Sequence, residues 1–250
     1  MKKIFSFLLV IISICSLLLY GCSSNEQNSR QSEKLSIVTS IFPYYDFARN
    51  IVGDKADVKL LLSPGNEPHH YEPSPSDIVA IEECDIFIYN GGESDEWVEN
   101  VLDSLENKNI TVLKMTDYVS LLNEKNPDHT DGDEADEHIW TSVRNAEQLV
   151  KKISAVVTEK DNKNKSEYEN NTNQYLLSLD ELDKEFTDVV NNKKRDTVVF
   201  GDRFPFLYFV SDYNLGYECA FPGCSHETEP STAVVSHLID FTREHDIPVV

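Results

Sequence analysis

Short apolar runs alternate with helix-like segments from Leu35 onward, and this alternation restricts the possible folds more than any other feature of the chain. The β-rich runs predict four strands, at Leu35–Ser40, Val58–Leu62, Asp85–Tyr89 and Ile110–Leu113. The segments between them predict helices, at Tyr44–Val52, Ser74–Glu83 and Asp95–Leu105. Strands that are separated by helices need crossover connections, which favour a parallel sheet with helices on both faces. We therefore expect an α/β fold.

The next region, from Asn145 to Asn191, is almost wholly helical in pattern. Its apolar residues form two stripes on either side of a break at residues 160–162: Ala146, Leu149, Ile153 and Val156, then Tyr175, Leu179, Leu182, Phe186 and Val189. A coiled-coil seam is the alternative, but the second stripe is shorter than the roughly three to four heptads that such a seam requires. We expect a long, rigid helix that packs along a two-lobed protein.

A second α/β region follows, with a predicted strand at Thr197–Phe200 and predicted helices at Phe204–Tyr213 and Thr232–Glu244. These patterns predict an amino-terminal lobe at 35–142, a helical spine at 143–192 and a carboxyl-terminal lobe at 193–250. The last four residues, Ile247–Val250, resemble the beginning of another strand. We therefore expect the second lobe to be incomplete in this chain.

The first 21 residues have the pattern of a secretory signal peptide, because Lys2 and Lys3 precede an uncharged run of 17 residues. Gly21 stands directly before Cys22, as in the cleavage site of bacterial lipoproteins, in which the cysteine becomes the lipidated amino terminus. Residues 22–34 would then form a polar tether. An uncleaved membrane anchor is the alternative, although a bilayer span needs about 20 apolar residues. Both interpretations place the folded part outside the cytoplasm, anchored to the bacterial cell membrane.

The chain is strongly acidic, with 44 Asp and Glu against 22 Lys and Arg, and a formal net charge of -22. Such a charge excludes the basic surface that nucleic-acid binding requires. A hydrophobic content of 40% is sufficient for a core, so the acidity belongs to a folded protein and not to a disordered tail.

Cys84, Cys219 and Cys224 remain after the candidate lipidation site, and three cysteines cannot all pair within one chain. Cys84 lies in an apolar run and is expected to be buried. Cys219 and Cys224 have two possible fates outside the cytoplasm: a disulfide between them, or metal coordination by Cys224. The sequence leaves both open.

Three candidate metal ligands follow predicted strands. His69 lies in the loop after the second strand, His138 lies downstream of the fourth strand, and Asp202 follows the strand at Thr197–Phe200. In open α/β sheets, ligands collect outside the carboxyl ends of the strands. We therefore expect these side chains to converge on one cleft between the lobes.

Three stretches, GNEPHHYEPSPSD, DEHIWTSVRNAEQL and FGDRFPFLYFVSDYNL, occur in this order behind a lipoprotein-type signal. Together they resemble the cluster A-I family, the ZnuA/TroA-like substrate-binding lipoproteins of zinc and manganese ABC importers. The resemblance runs over essentially all of Leu35–Val250. It implies two lobes with parallel sheets, a rigid connecting helix, and a metal site at the lobe interface.

Carried onto this chain, the resemblance implies that His69 and His138 are metal ligands. Glu137 stands where the family has proline before the second histidine, and Gly201 stands where the family has its third ligand. Asp202 is the first candidate to replace that ligand, and Cys224 and His226 are further candidates. The resemblance further implies that the fourth ligand comes from near the family's carboxyl terminus, at a position that would follow Val250.

An acidic loop, Asp128–Glu137, precedes His138. Zinc-specific relatives often carry a histidine-rich loop at this point, whereas this loop contains one histidine, His129. Its aspartates do not fit an EF-hand register. A solvated loop and a weak metal-collecting antenna both remain open.

The resulting hypothesis is a monomeric lipoprotein that captures a divalent metal and delivers it to an ABC permease. Two imidazoles favour Zn(II), and added carboxylates would shift the preference toward Mn(II). A metal-dependent hydrolase is the first alternative, but the sequence contains no HExxH or GxSxG motif. A surface adhesin is the second alternative.

A histidine site should release its metal in acid. Only neutral imidazole coordinates, so protons compete with the metal as the pH falls through the ordinary histidine pKa of about 6.5. We predict that zinc affinity falls steadily between about pH 7.5 and pH 5. Zinc titrations at successive pH values measure this, and an affinity independent of pH over that range would contradict a histidine site.

Overall fold

The strands of the computed structural model form two parallel sheets within the residues it describes, which are 34–124, 135–224 and 230–249. The first sheet has the order β2-β1-β3-β4, built from β1 (Leu35–Thr39), β2 (Ala56–Leu60), β3 (Ile86–Tyr89) and β4 (Thr111–Lys114). In the second sheet, β5 (Thr197–Phe204) pairs with β6 (Gly216–Pro222). The predicted α/β fold with parallel sheets is confirmed. The candidate signal peptide, Cys22, His129 and His226 lie outside the described residues.

The helices of the described chain are α1 (Phe42–Val52), α2 (Pro75–Glu83), α3 (Glu96–Ser104), α4 (Val143–Lys160), α5 (Lys165–Asn191), α6 (Leu207–Asp212) and α7 (Thr232–Glu244). Helix α2 begins at the predicted proline, and the Ser74 main-chain N–H donates to the Asp77 carboxylate over 3.1 Å. Within the described ranges, no helix combines the length and the apolar character that crossing a membrane requires.

The two central strands of the first sheet, β1 and β3, are buried on both faces. Successive side chains of a strand point to opposite faces, so Ile37 joins one core cluster whereas Val38 joins the other. The same alternation divides β3, where Ile88 packs with α1 and α4, and Phe87 packs with α2 and α3. Burial on both faces explains why β1 and β3 are largely apolar, whereas the edge strand β2 alternates polar and apolar residues.

The helical spine contains the predicted long helix, α5, and a second helix, α4, which a short 3-10 turn at Asn162–Asn164 separates from it. The α4 stripe is fully buried at Leu149 and Ile153, in the core of the first sheet. Helix α5 has 27 residues, about 40 Å at the α-helical rise, and it leads into β5. Its second half is largely solvated: Val189, which was predicted to lie on the apolar stripe, is 69% exposed.

The second lobe differs from its sequence prediction in four respects. Strand β5 continues to Phe204, so Asp202 lies within a strand and not after one, and α6 is shorter than predicted. Strand β6 was missed because its residues, GYECAFP, show no clean alternation. No strand forms at residues 247–249, where the sequence predicted the start of one.

Helix α6 of the second lobe packs against loops of the first. The Tyr208 hydroxyl donates to the main-chain oxygen of Asp136 over 2.7 Å, and its ring belongs to the core of the first sheet. The Ser142 hydroxyl donates to the Asp212 carboxylate over 2.5 Å. These contacts hold the loop that carries His138 against the second lobe. The lobe bounds at residues 142 and 192 remain a prediction.

The two spine helices should differ in their sensitivity to truncation. Leu149 in α4 is 0% exposed, so Leu149→Ala should lower the free energy of unfolding by about 2–5 kcal/mol through lost transfer energy and a cavity. Leu177 in α5 is 60% exposed, so Leu177→Ala should change the free energy of unfolding by less than about 0.5 kcal/mol. Urea unfolding measures both, and equal losses would contradict the packing of α4.

Candidate metal centre

His69 lies in a 3-10 turn, Pro68–His70, that follows β2 at the carboxyl edge of the first sheet. Its side chain is only 11% exposed. The Nδ1 atom lies 2.7 Å from the Ser94 hydroxyl, which belongs to the turn after β3. The tautomer that donates Nδ1–H to this hydroxyl leaves Nε2 free to coordinate a metal.

His138 precedes a 3-10 turn, Ile139–Thr141, that leads into α4. Asp136 Oδ1 accepts the His138 main-chain N–H over 2.7 Å and lies 3.1 Å from the ring Nδ1. A buried carboxylate on Nδ1 fixes the ring orientation, as it does for many metal-binding histidines. Asp136 therefore orients His138.

The structure brings the two histidines together, with ring centroids 5.9 Å apart. Both line a cavity of about 20 Å³, together with side chains that include Asn90, Glu137 and Trp140. A volume of this size holds about one water-sized guest. It matches a single ion.

Glu137 links the surroundings of the two histidines. Its Oε1 accepts the Ser94 main-chain N–H over 2.9 Å, and its main-chain oxygen accepts a 2.9 Å hydrogen bond from the Asn90 side chain. Gly92 makes this approach possible: a Cβ atom there would stand 2.4 Å from the Glu137 carboxylate, and its φ of +96° is unfavourable for other residues. Glu137, which replaces the family's proline, thus fixes the turn whose Ser94 hydroxyl contacts His69.

Burial lowers the pKa of His69 from its ordinary value, because desolvation disfavours the imidazolium form. The nearby Glu137 and Glu67 oppose this shift, whereas His138 and Arg203 add to it. A lowered pKa keeps His69 in the neutral, coordinating form at a lower pH than an exposed histidine.

The second lobe reaches the mouth of this cavity through β5. Arg203 forms an ion pair with Glu67 at 3.8 Å, beside the turn that carries His69. Asp202 is exposed, and its Oδ1 accepts the main-chain N–H of Arg203 over 2.8 Å. The structure therefore places the Asp202 carboxylate in solvent, apart from the two histidines.

Cys224 does lie beside His138. One potential ligand atom from each of Glu124, His138 and Cys224 comes within 4.8 Å of the other two. Cys84, Cys219 and Cys224 are all free thiols in the structure, and Cys84 is buried as predicted. The sequence left open a disulfide between Cys219 and Cys224 or metal coordination by Cys224. The structure contains no disulfide between these two residues.

Sequence reasoning did not find Ser94, Asp136 or Glu124. Asp136 stands two residues before His138, so its proximity was the one available signal. Ser94 and Glu124 follow different strands, β3 and β4, and nothing in their local sequence indicates which histidine each would approach.

Two parallel sheets, a long connecting helix and a histidine pair at the carboxyl edge of the strands define a two-lobed α/β protein with a candidate metal site. The chain belongs to the family described as "Zinc-uptake complex component A periplasmic" (ZnuA), which matches residues 37–250.

Known relatives carry zinc or manganese names. The chain is 33% identical over 258 residues to the zinc-binding lipoprotein AdcA of Streptococcus pneumoniae (strain ATCC BAA-255 / R6), covering 100% of this chain and 50% of AdcA. It is 30% identical to the manganese-binding lipoprotein MntA of Halalkalibacterium halodurans, covering 100% of this chain and 81% of MntA. The chain thus spans about half the length of AdcA.

A solved structure shares the fold. The Zn(II)-bound ZnuA-like domain of Streptococcus pneumoniae AdcA superposes with a TM-score of 0.71 at 33% identity, covering 86% of this chain and 76% of that one.

The position of Asp136 predicts a large effect of a small change. Asp136→Asn keeps the size of the side chain but removes the charge that orients His138, so zinc affinity should fall about 10- to 100-fold. Asp202→Asn makes the same chemical change on an exposed carboxylate and should leave the affinity unchanged. Isothermal titration calorimetry measures both, and a stronger effect at Asp202 would contradict this account.

Proposed function

We propose that this chain captures a divalent metal ion outside the cytoplasm, Zn(II) foremost, and delivers it to the permease of an ABC importer. The observation that carries the proposal is a pair of largely buried histidines, with ring centroids 5.9 Å apart, around a cavity sized for one ion. Each ring has a hydrogen-bonding partner on Nδ1, so both Nε2 atoms are available as ligands.

The shape of the site favours carriage over catalysis. A catalytic zinc keeps one coordination position open for water and needs adjoining space for a substrate, whereas a carrier encloses its ion. A cavity of about 20 Å³ leaves no such space. The family's description concerns zinc uptake, which is a solute-binding role and not an enzyme class. Neither the hydrolase nor the adhesin hypothesis is supported by the names of the relatives.

Zn(II) is the foremost candidate for the ion because imidazole is a borderline-soft ligand that suits zinc. AdcA is named for zinc and MntA for manganese, so the relatives allow both ions. Manganese becomes the alternative cargo if oxygen ligands dominate the completed site.

The proposed location follows from the amino-terminal sequence. Cleavage before Cys22 and lipidation of this residue would anchor a monomer to the outer face of the cell membrane through the tether at 22–34. Both AdcA and MntA carry the word lipoprotein in their names, which supports this part of the proposal. A tethered carrier stays within reach of its permease.

Removing either histidine should abolish tight zinc binding. We predict one zinc per chain in native mass spectrometry, removable by chelator, for the unaltered protein. His69→Ala and His138→Ala should each weaken zinc binding by more than the roughly 10- to 100-fold loss expected when a residue that hydrogen-bonds to a metal ligand is removed. His245→Ala, at an exposed position after α7, is the matched control and should retain the metal. Full zinc retention by both variants would refute the proposed site.

A further inference from the structure

The cluster formed by Glu124, His138 and Cys224 extends the candidate site beyond the two histidines. Its three donor atoms, one each of carboxylate, imidazole and thiol type, lie within 4.8 Å of one another. Ligands around a four-coordinate zinc stand about 3.5 Å apart, given metal–ligand bonds of about 2.0–2.3 Å. Side-chain movements of about 1 Å would therefore bring all three donors to one ion.

The fold brings these residues together from both lobes. Glu124 follows β4 in the first lobe, and Cys224 follows β6 in the second. The Cys224 main-chain N–H donates to Glu124 Oε1 over 2.9 Å, which ties the two loops together. A Cβ atom on Gly223 would stand 3.0 Å from both Glu124 Oε1 and His138 Nδ1, so this position suits a glycine. Glycine at position 223 thus allows the turn that carries Cys224 to approach Glu124 and His138 closely.

The electrostatics of the cluster favour a cation. Glu124 is half-buried, and Cys224 and Asp136 are buried, so two carboxyl groups and a thiol lie together where water is largely excluded. The chain thus collects acids where desolvation already disfavours their charged forms. A divalent ion would offset that cost.

Asp136 provides an independent observation. It is 1% exposed, and its Oδ2 has no hydrogen-bond partner among the described residues. A buried carboxylate oxygen normally has a partner, so an unsatisfied one next to His138 is unusual for a purely structural cluster. A bound cation with its water would supply what this oxygen lacks.

We propose that Cys224 Sγ and the Glu124 carboxylate coordinate the captured ion together with His138, and that this thiolate makes the chain a carrier of Zn(II) and not of Mn(II). The inference rests on the proposed function, whose metal it specifies. On binding, the Cys224 S–H bond breaks, its electron pair forms the bond to the metal, and the proton leaves to solvent. Thiolate is a soft ligand that favours zinc over manganese. It also replaces the ligand that Gly201 cannot provide.

Cobalt(II) is a direct probe of this ligand, because a thiolate bound to Co(II) gives an intense near-ultraviolet charge-transfer band that imidazole and carboxylate do not. The full chain, kept reduced by a phosphine, should show the band at one Co(II) per chain. Cys224→Ser should lose the band and bind zinc about 100-fold or more weakly, with a much smaller change for Mn(II). Cys219→Ser is the matched control, because Cys219 lines a small cavity beside Glu124 but is not part of the cluster. This variant should keep the charge-transfer band and the zinc affinity of the unaltered chain.

Glu124→Gln provides a second variant that retains the thiol. It should keep the charge-transfer band while zinc affinity falls, which separates loss of a ligand from loss of folding. Stoichiometric Co(II) binding without the band, or a Cys224→Ser protein that keeps its zinc affinity, would overturn the thiolate ligand and leave the histidine carrier intact. Failure of the unaltered chain to bind zinc or cobalt would instead refute the proposed function, and the thiolate ligand with it.

Discussion

The parallel pairing of the strands determines where the residues of the candidate site can lie. Parallel strands direct all their carboxyl ends to one edge of the sheet, and the loops that follow them cannot avoid meeting there. His69 follows β2, Ser94 follows β3, and Glu124 follows β4. Cys224 likewise follows the carboxyl end of a strand, β6 of the second sheet. The candidate metal centre is thus a consequence of topology, and the helices on both faces are what make that topology stable.

The acidic charge of the chain has a more specific role around the candidate metal centre. A net charge of -22 across the chain favours cations near its surface in general. Around His138, however, the acids Glu124, Asp136 and Glu137 are partly or fully buried, where solvent screens them least. The general charge attracts any cation, whereas the buried donors of the proposed site would select one. Selectivity therefore depends on the hard or soft character of the ligands more than on the total charge.

The amino-acid pattern was sufficient for much of the fold. The first lobe follows from the spacing of its apolar residues, because its helices are amphipathic, its central strands are largely apolar, and clear breaks separate them. The second lobe was harder to predict. Strand β6 lacks alternation, and β5 extends past Gly201, where the sequence suggested a loop. Pairing with a neighbour overrides weak local preference in both strands. That error moved Asp202 from a predicted loop into an exposed strand position.

For the site, the sequence by itself indicated the two histidines, through their places after strands and the motifs around them. It also left Cys224 open as a ligand or a disulfide partner. Only the tertiary structure placed Asp136 against the His138 ring, Ser94 against His69, and Glu124 beside Cys224. The reason is physical: local sequence determines which element a residue joins, but contacts between residues 25 or 100 positions apart depend on how separate loops pack at one sheet edge.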